Sequence, residues 1–245
     1  MASNFLLHFF QKKIKKNDFL QVNIIGVPES KLVVLLNQFE KDVPKGYLMS
    51  YLPDNIIVKL RFHKITDNTE DFFSVFKNKL NKILGNLIFS YGEVSLQKVI
   101  VSTLIKKKMK IAIAESCTGG AISKILTSIP GCSKVLIGSI IAYSEYTKTE
   151  ILNVDLSTIK KYGVVSKEVV EEMAKSVMKK FNSSFGLATS GFMGPFDKKQ
   201  EKIAWLCVAS KKKIITKKII LKSTRFNNIL ITTRYVLNEL RKEIL

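Results

Sequence analysis

The sequence predicts an α/β protein of two domains. A small α+β domain with the order β-α-β-β-α-β occupies residues 1–92, and a three-layer α/β/α domain with a mixed sheet occupies residues 93–245. Strand-like and helix-like runs alternate through the first 92 residues, and Tyr91-Gly92-Glu93 then breaks the pattern. Beyond the break, apolar runs of strand length alternate with amphipathic stretches. One of these runs ends in a polar turn with paired glycines, Ala114-Glu115-Ser116-Cys117-Thr118-Gly119-Gly120.

In the first domain, Leu20 to Ile25 reads as a strand, Ser30 to Phe39 as a helix, and Tyr47 to Leu52 with Ile56 to His63 as two strands. Thr69 to Leu84 follows as a helix and Leu87 to Tyr91 as a closing strand. This order makes a split β-α-β sheet covered on one face by two helices. In the second domain Ser95 caps a helix reaching about Lys107, with Val99, Ile100, Leu104 and Ile105 on one face. Met109 to Ile113 is a strand, and Ala121 to Leu126 has a helical pattern after the glycines. Val135 to Tyr143 is a strand that leads through a polar turn into a helix carrying Lys148. Ser166 opens a helix with Glu168 to Glu172 in its early turns, where acidic residues complement the helix dipole. Phe185 to Thr189, Ile203 to Ala209 and Ile214 to Leu221 are strands, and Thr224 to Ile244 is the closing helix.

Composition narrows the function classes. With 46% hydrophobic residues in 245, the chain can bury a proper core. No stretch approaches the roughly 20 apolar residues that span a bilayer. The apolar patch Phe5 to Phe10 is short and runs into lysines rather than a cleavage site. A cytoplasmic protein without a membrane partner is therefore expected. Cys117, Cys132 and Cys207 are widely spaced with no CxxC pair, which points to neither a disulfide framework nor a zinc site. The net charge is +20, of which +5 precedes Gly92 and +15 follows it. The later excess is nearly all lysine, in clusters such as Lys106-Lys107-Lys108 and Lys211-Lys212-Lys213, without the interleaved aromatics of a base-stacking platform. That pattern describes a solvated lysine-rich surface rather than a nucleic-acid groove.

The turn at Ser116 has the composition of a nucleophile site. A strand delivers the hydroxyl, and glycines followed by a helix start put backbone N–H groups nearby, a setting suited to an anion and to acyl transfer. Histidine occurs only as His8 and His63, both in the first domain, so a Ser-His-Asp triad inside the second domain is excluded. Lysine is the remaining class of base, provided burial or a neighbouring positive charge lowers its pKa. Lys148, just past the strand end Ala142-Tyr143-Ser144, is the candidate, with Tyr143 to orient the amine or relay a proton. The loop Thr189-Ser190-Gly191-Phe192-Met193-Gly194-Pro195 carries glycines that admit a ligand close to the backbone. Arg225 offers a forked guanidinium for a phosphate or carboxylate. Each residue also has a plainer reading. Ser116 serves equally as a helix cap, Lys148 as a surface lysine, Tyr143 as core, the Gly191 to Pro195 segment as a turn, Arg225 as a partner of a surface carboxylate, and Cys117 as a buried structural thiol. Spacing alone leaves both sets open.

Taken together, the motifs resemble the competence-damage-inducible protein family (CinA), whose C-terminal domain is a nicotinamide mononucleotide deamidase. Glu115-Ser116-Cys117-Thr118-Gly119-Gly120 matches the family's Glu-Ser-x-Thr-Gly-Gly turn, and Pro130-Gly131-Cys132-Ser133 resembles the Pro-Gly-(Ser/Ala)-Ser that follows. Tyr143-Ser144 with Lys148 fits Tyr-Ser-Asn-x-x-Lys, and Gly163-Val164-Val165-Ser166-Lys167-Glu168-Val169 resembles a Gly-Ala-Val-Ser-Glu-Glu-Val helix start. A Gly-x-x-Gly-Pro loop follows at Gly191. The likeness covers residues 95 to 245 strongly, and residues 20 to 92 resemble the small KH-like linker domain that precedes the deamidase. No Gly-x-x-Gly loop lies within that first domain, so RNA binding is not implied. The family's larger molybdopterin-binding-like domain and its metal-dependent pyrophosphatase chemistry are expected to be absent.

The resemblance implies an amidohydrolase that needs neither metal nor cofactor. It would hydrolyse nicotinamide mononucleotide to the acid and ammonia by a Ser-Lys mechanism and act as a homodimer. Ser116 would be the nucleophile and Lys148 its base, with Tyr143 beside them. Thr118, Gly119 and Gly120 would lie near the oxyanion, Ser144, Gly191 and Gly194 would line the substrate site, and Arg225 would meet the nucleotide phosphate. Two departures stand out. The family's Asn after Tyr-Ser is Glu145, a carboxylate expected to raise the Lys148 pKa. The Gly-Ile-Ala-Gly-Pro loop is Gly191-Phe192-Met193-Gly194-Pro195, continuing into Phe196-Asp197-Lys198-Lys199, which alters the substrate loop. These departures motivate the alternative of a catalytically impaired CinA-like protein that binds a nucleic-acid or protein partner.

Overall fold

The computed structural model describes residues 19–65, 72–194 and 201–245. The patch Phe5 to Phe10 with His8, the expected helix start at Thr69, and the loop residues Pro195 to Lys199 lie outside the described residues. The chain divides into two compact units between Val94 and Ser95.

The first unit runs β1 (Phe19–Ile25), α1 (Glu29–Lys41), β2 (Tyr47–Asp54), β3 (Ile57–Lys64), α2 (Phe73–Leu84) and β4 (Ile88–Tyr91). Its strands form an antiparallel sheet in the order β2-β3-β1-β4. Leu20, Val22 and Ile24 alternate along β1 opposite Phe62, Leu60 and Val58 of β3, which makes one face apolar. Leu32, Leu36 and Phe39 of α1 and Phe76, Leu80 and Leu84 of α2, spaced three or four apart, close over that face. The unit therefore owns its core.

The second unit carries β5 (Ile111–Glu115), β6 (Leu136–Ile141), β7 (Phe185–Phe192), β8 (Ile203–Ser210) and β9 (Ile214–Ile220). Its helices are α3 (Leu96–Lys106), α4 (Ala121–Thr127), α5 (Leu156–Tyr162), α6 (Lys167–Lys180) and α7 (Arg225–Ile244). The sheet order is β6-β5-β7-β8-β9, with β6, β5 and β7 parallel and β8 and β9 joined antiparallel, the mixed sheet expected.

Small residues line one face of this sheet. Ala112, Ala114, Ala188, Cys207 and Ala209 lie under α6, which packs Val169, Val170, Met173, Ala174 and Val177 against them. Gly186 lets that helix descend furthest, because a Cβ built there would lie 2.0 Å from the Ala174 carbonyl oxygen. The alternate residues Ile111, Ile113, Leu187, Leu206 and Val208 are buried on the opposite face. There α7 packs on β7 and β8, with α3 and α4 beside it. Side-chain caps begin two helices as expected, with Ser95 and Ser166 accepting the N–H groups of Lys98 and Val169, and Thr224 likewise accepts that of Asn227 at the start of α7.

Four elements differ from expectation, the first being β5, which runs Ile111–Glu115 where Met109 to Ile113 was expected, so that Ala114 and Glu115 of the expected turn are paired in the sheet. Helix α5 is absent from the sequence reading because its seven residues bury only Ile159, too little to show a period. Its signals lie at its ends, where Asp155 accepts the Ser157 N–H at 2.7 Å and Gly163 follows at φ 81°. Strand β7 runs past Thr189 to Phe192, because Ser190, Gly191 and Phe192 keep pairing with Trp205, Ala204 and Ile203 of β8. Gly191, expected in a loop, thus lies in a strand, and the chain leaves the sheet only after Phe192. Lys148 sits on a π-helical turn, Thr147–Ile151, rather than on a regular helix.

Candidate active site

Glu115, the last residue of β5, the middle one of the three parallel strands, pairs with Ile141 of β6 and Thr189 of β7. Ser116 follows at once, at the carboxyl ends of the parallel strands, where open α/β sheets gather ligands. Its N–H donates to the Thr189 carbonyl at 3.0 Å. The chain then turns through Gly119 and Gly120, at φ 58° and 96°, a backbone that side chains resist, and enters α4.

Past the end of β6, Ser144 organises the next turn. Its hydroxyl accepts the Thr147 N–H at 3.1 Å and shares a hydrogen bond with Thr147 Oγ1 at 2.8 Å. The π turn that follows is wider than an α turn, and Lys148 projects from it inward, only 2% exposed. Lys148 Nζ donates to Ser116 Oγ at 3.1 Å and to the Ala142 carbonyl at 2.8 Å. Burial lowers the pKa of this amine below the ordinary lysine value, while Cys117 and Glu145 push it up more weakly. Glu145 therefore acts in the expected direction without deciding the outcome.

The anion expected at the start of α4 is supplied by the chain itself. Glu115, fully buried, accepts the N–H groups of Gly120 and Ile122 on Oε2, each at 3.0 Å, and that of Ser123 on Oε1 at 2.9 Å. The hydroxyls of Thr118 and Ser123 donate to the same carboxylate at 2.8 and 2.6 Å. The Gly119 N–H is also taken, by the Ser116 carbonyl at 3.2 Å. Among the described residues, the N–H groups of Cys117 and Thr118 are the ones in this turn that donate to no other residue. Cys117 packs with Met193, Ala204 and Leu221, and burial pushes its thiol up to about 12. It is protonated near neutral pH and does not compete with Ser116 as a nucleophile.

The remaining candidates form a second cluster. Tyr143 is 63% exposed, and among the described residues no hydrogen bond joins it to Ser116 or Lys148. Its hydroxyl instead accepts from Arg225 Nη2 at 3.1 Å, while Arg225 Nη1 donates to the Gly194 carbonyl at 3.3 Å. Gly191 has a reason independent of any ligand: a Cβ there would lie 2.5 Å from the Ile203 carbonyl oxygen on β8. Met193, the bulky residue expected to alter the substrate loop, is buried in the core, leaving Phe192 half-buried as the conspicuous change. Sequence reasoning missed Asn228. This fully buried side chain donates to the carbonyls of Met193 and Ser223 at 2.9 and 3.1 Å and accepts the Ser223 N–H at 3.1 Å. It thereby clasps the end of β7 to the first turn of α7, which carries Arg225. Its one legible signal was a polar residue inside the apolar stripe of a helix. Among the described residues, no group of three His, Cys, Asp or Glu side chains is placed to hold a metal ion, and no helix is long and apolar enough to cross a membrane.

Fold and site together define an α/β/α protein with a buried serine–lysine pair at the ends of its parallel strands. The family model of the CinA C-terminal domain matches residues 93–244, and the chain belongs to the CinA family. It is 35% identical over 225 residues to a CinA-like protein of Cytophaga hutchinsonii, covering 89% of this chain and 54% of that protein. A CinA-like protein of Amoebophilus asiaticus is 30% identical over 250 residues, covering 100% of this chain and 58% of the relative. The chain thus spans little more than half the length of these relatives. Among solved structures, the competence/damage inducible protein CihA from Agrobacterium tumefaciens is similar with a TM-score of 0.57 and 27% identity, over 59% of this chain and 91% of that one. The competence or damage-inducible protein from Enterobacter asburiae shares the fold at a TM-score of 0.59 and 21% identity, over 62% of this chain and 100% of that one.

Proposed function

We propose that the second unit is an amidohydrolase that converts nicotinamide mononucleotide to nicotinate mononucleotide and ammonia. The observation that carries the reading is the 3.1 Å hydrogen bond between Lys148 Nζ and Ser116 Oγ, with the amine buried and its pKa lowered. A neutral amine accepts the Ser116 O–H while one of its own N–H groups stays on the Ala142 carbonyl, so the base arrives oriented. Ser116 Oγ attacks the carboxamide carbon, and its proton passes to Lys148 Nζ. The N–H groups of Cys117 and Thr118 are the donors left for the oxyanion. As the C–N bond breaks, Lys148 returns the proton to the leaving nitrogen and ammonia departs from the Ser116 ester. Water then attacks the ester, Lys148 takes its proton, and the acid and free Ser116 are restored.

The substrate's phosphate is assigned to Arg225, whose guanidinium exchanges the neutral Tyr143 hydroxyl and Gly194 carbonyl for a charge-assisted bidentate partner. In this reading Tyr143 positions Arg225 and borders the site. The homodimer implied by the family resemblance belongs to the same proposal. Once placed, the two departures give less support to a non-catalytic protein: burial outweighs Glu145 at Lys148, and Met193 turns into the core. The test is interception of the ester. With hydroxylamine present, the wild-type protein is expected to form the hydroxamate of the nucleotide alongside the acid. Absence of hydroxamate while acid still forms would overturn the covalent route.

A further inference from the structure

Glu115 is a fully buried, multiply hydrogen-bonded side chain of the second unit that the proposed reaction does not use. Its carboxylate receives five donors: two on Oε1, from the Ser123 N–H and hydroxyl, and three on Oε2, from the Thr118 hydroxyl and the N–H groups of Gly120 and Ile122. That saturates a carboxylate, which offers about four lone-pair sites. These donors span residues 118 to 123, both sides of the paired glycines, whereas the backbone of Glu115 is fixed in the sheet on both edges. A single side chain therefore ties the far side of the turn to the strand that precedes Ser116. The network extends outward, since Thr118 Oγ1 also meets Thr189 Oγ1 at 2.9 Å, and the Thr189 carbonyl holds the Ser116 N–H.

We infer that Glu115 is a positioning residue for the Ser116 turn, an internal anion that holds Ser116 Oγ against Lys148 and keeps the N–H groups of Cys117 and Thr118 turned toward the reacting carbonyl. The inference rests on reading Ser116 as a nucleophile, though not on which amide it attacks. A second consequence concerns specificity. With the start of α4 occupied, a substrate anion has no donors to find there, and the negative group of the substrate is bound on the Arg225 side.

Glu115→Gln is the discriminating variant because it keeps the shape. The three backbone N–H donors fall on both oxygens, so whichever way the amide turns, its NH₂ faces at least one N–H and that interaction becomes repulsive. The experiment follows phosphonylation of Ser116 by a fluorophosphonate, read by mass spectrometry and normalised to folded protein, beside turnover of nicotinamide mononucleotide. Glu115→Gln is expected to slow labelling and lower kcat by about 10- to 100-fold, the scale of a misplacement near 1 Å. KM stays within about twofold, because the substrate anion sits elsewhere, and the pH at which labelling is half-maximal does not move, because it belongs to Lys148. A purely structural role would lower Tm yet leave labelling per folded molecule at the wild-type rate, and that result overturns the inference. Should Glu115→Gln not fold, Ser123→Ala removes a single donor. Slower labelling at unchanged KM then supports the inference, and wild-type labelling contradicts it. A wild-type protein that labels but releases no ammonia contradicts the substrate reading alone, whereas one that does not label at all contradicts the nucleophile reading beneath both.

Discussion

Ser116 gains its chemistry from what Lys148 loses. A lysine that is 2% exposed surrenders most of its hydration, and its lowered pKa is the result. Because the folded state binds this proton less tightly than the unfolded chain, stability rises with pH between the depressed value and the ordinary lysine value, and the charged amine is a liability below that window. Lys148→Met is therefore expected to cut turnover by about 100- to 10,000-fold while leaving Tm at neutral pH equal or higher. Calorimetry across pH checks this, since the variant should also lack the wild-type rise in Tm through the window. In turnover, kcat/KM is expected to rise with pH along a limb whose midpoint lies below the ordinary lysine value. A rate that is flat over that range would show that Lys148 is not the base. The plain sequence named Ser116 and Lys148 as candidates, because a hydroxyl lies at one strand end, histidine is absent from the second domain and Lys148 follows the next strand end, but it could not choose Lys148 over a surface lysine. It did not show Glu115 as a filled cap or Asn228 as a clasp, because both act through contacts with residues on other elements. Tyr143 and Arg225 were found individually, while their mutual hydrogen bond, formed across 82 positions, was not legible.

Among elements, the small-residue face beneath α6 leaves little room for added volume. Gly186→Ala would drive a methyl onto the Ala174 carbonyl, a backbone atom that cannot swing aside, and is expected to cost about 1–3 kcal/mol of stability. Gly138 makes a useful control. A Cβ there would meet the ring of Phe181 at 2.4 Å, but that ring is a half-buried side chain able to turn, so Gly138→Ala should cost less. Urea denaturation of the two variants decides the order, and equal losses would refute the close-approach argument. Elements with strong apolar periods, such as β1 and α1, were legible almost to their ends, whereas β5 was placed two residues early. Where several contacts share the work, the sequence was less informative. Helix α5 buries one residue, β7 is lengthened by its partner β8, and the π turn at Lys148 answers to side-chain burial rather than to local propensity.

For the whole molecule, two units with separate cores imply separable stability. Residues 95–245, which own the sheet, both helical layers and every residue of the proposed site, are expected to fold alone and to retain serine labelling and turnover within a few-fold of the full chain. Loss of both in a folded fragment would show that the first unit completes the site. The +20 net charge enters through ionic strength. A lysine-rich solvated surface predicts weak salt dependence of kcat and a stronger dependence of KM, because the substrate carries a phosphate. The most direct test of the central claim is incubation of the purified protein with nicotinamide mononucleotide, following ammonia and the nucleotide acid together. The wild-type protein is expected to release the two in equal amounts, and Ser116→Ala to release neither. Equal release by Ser116→Ala, or none by the wild-type protein, would contradict the claim.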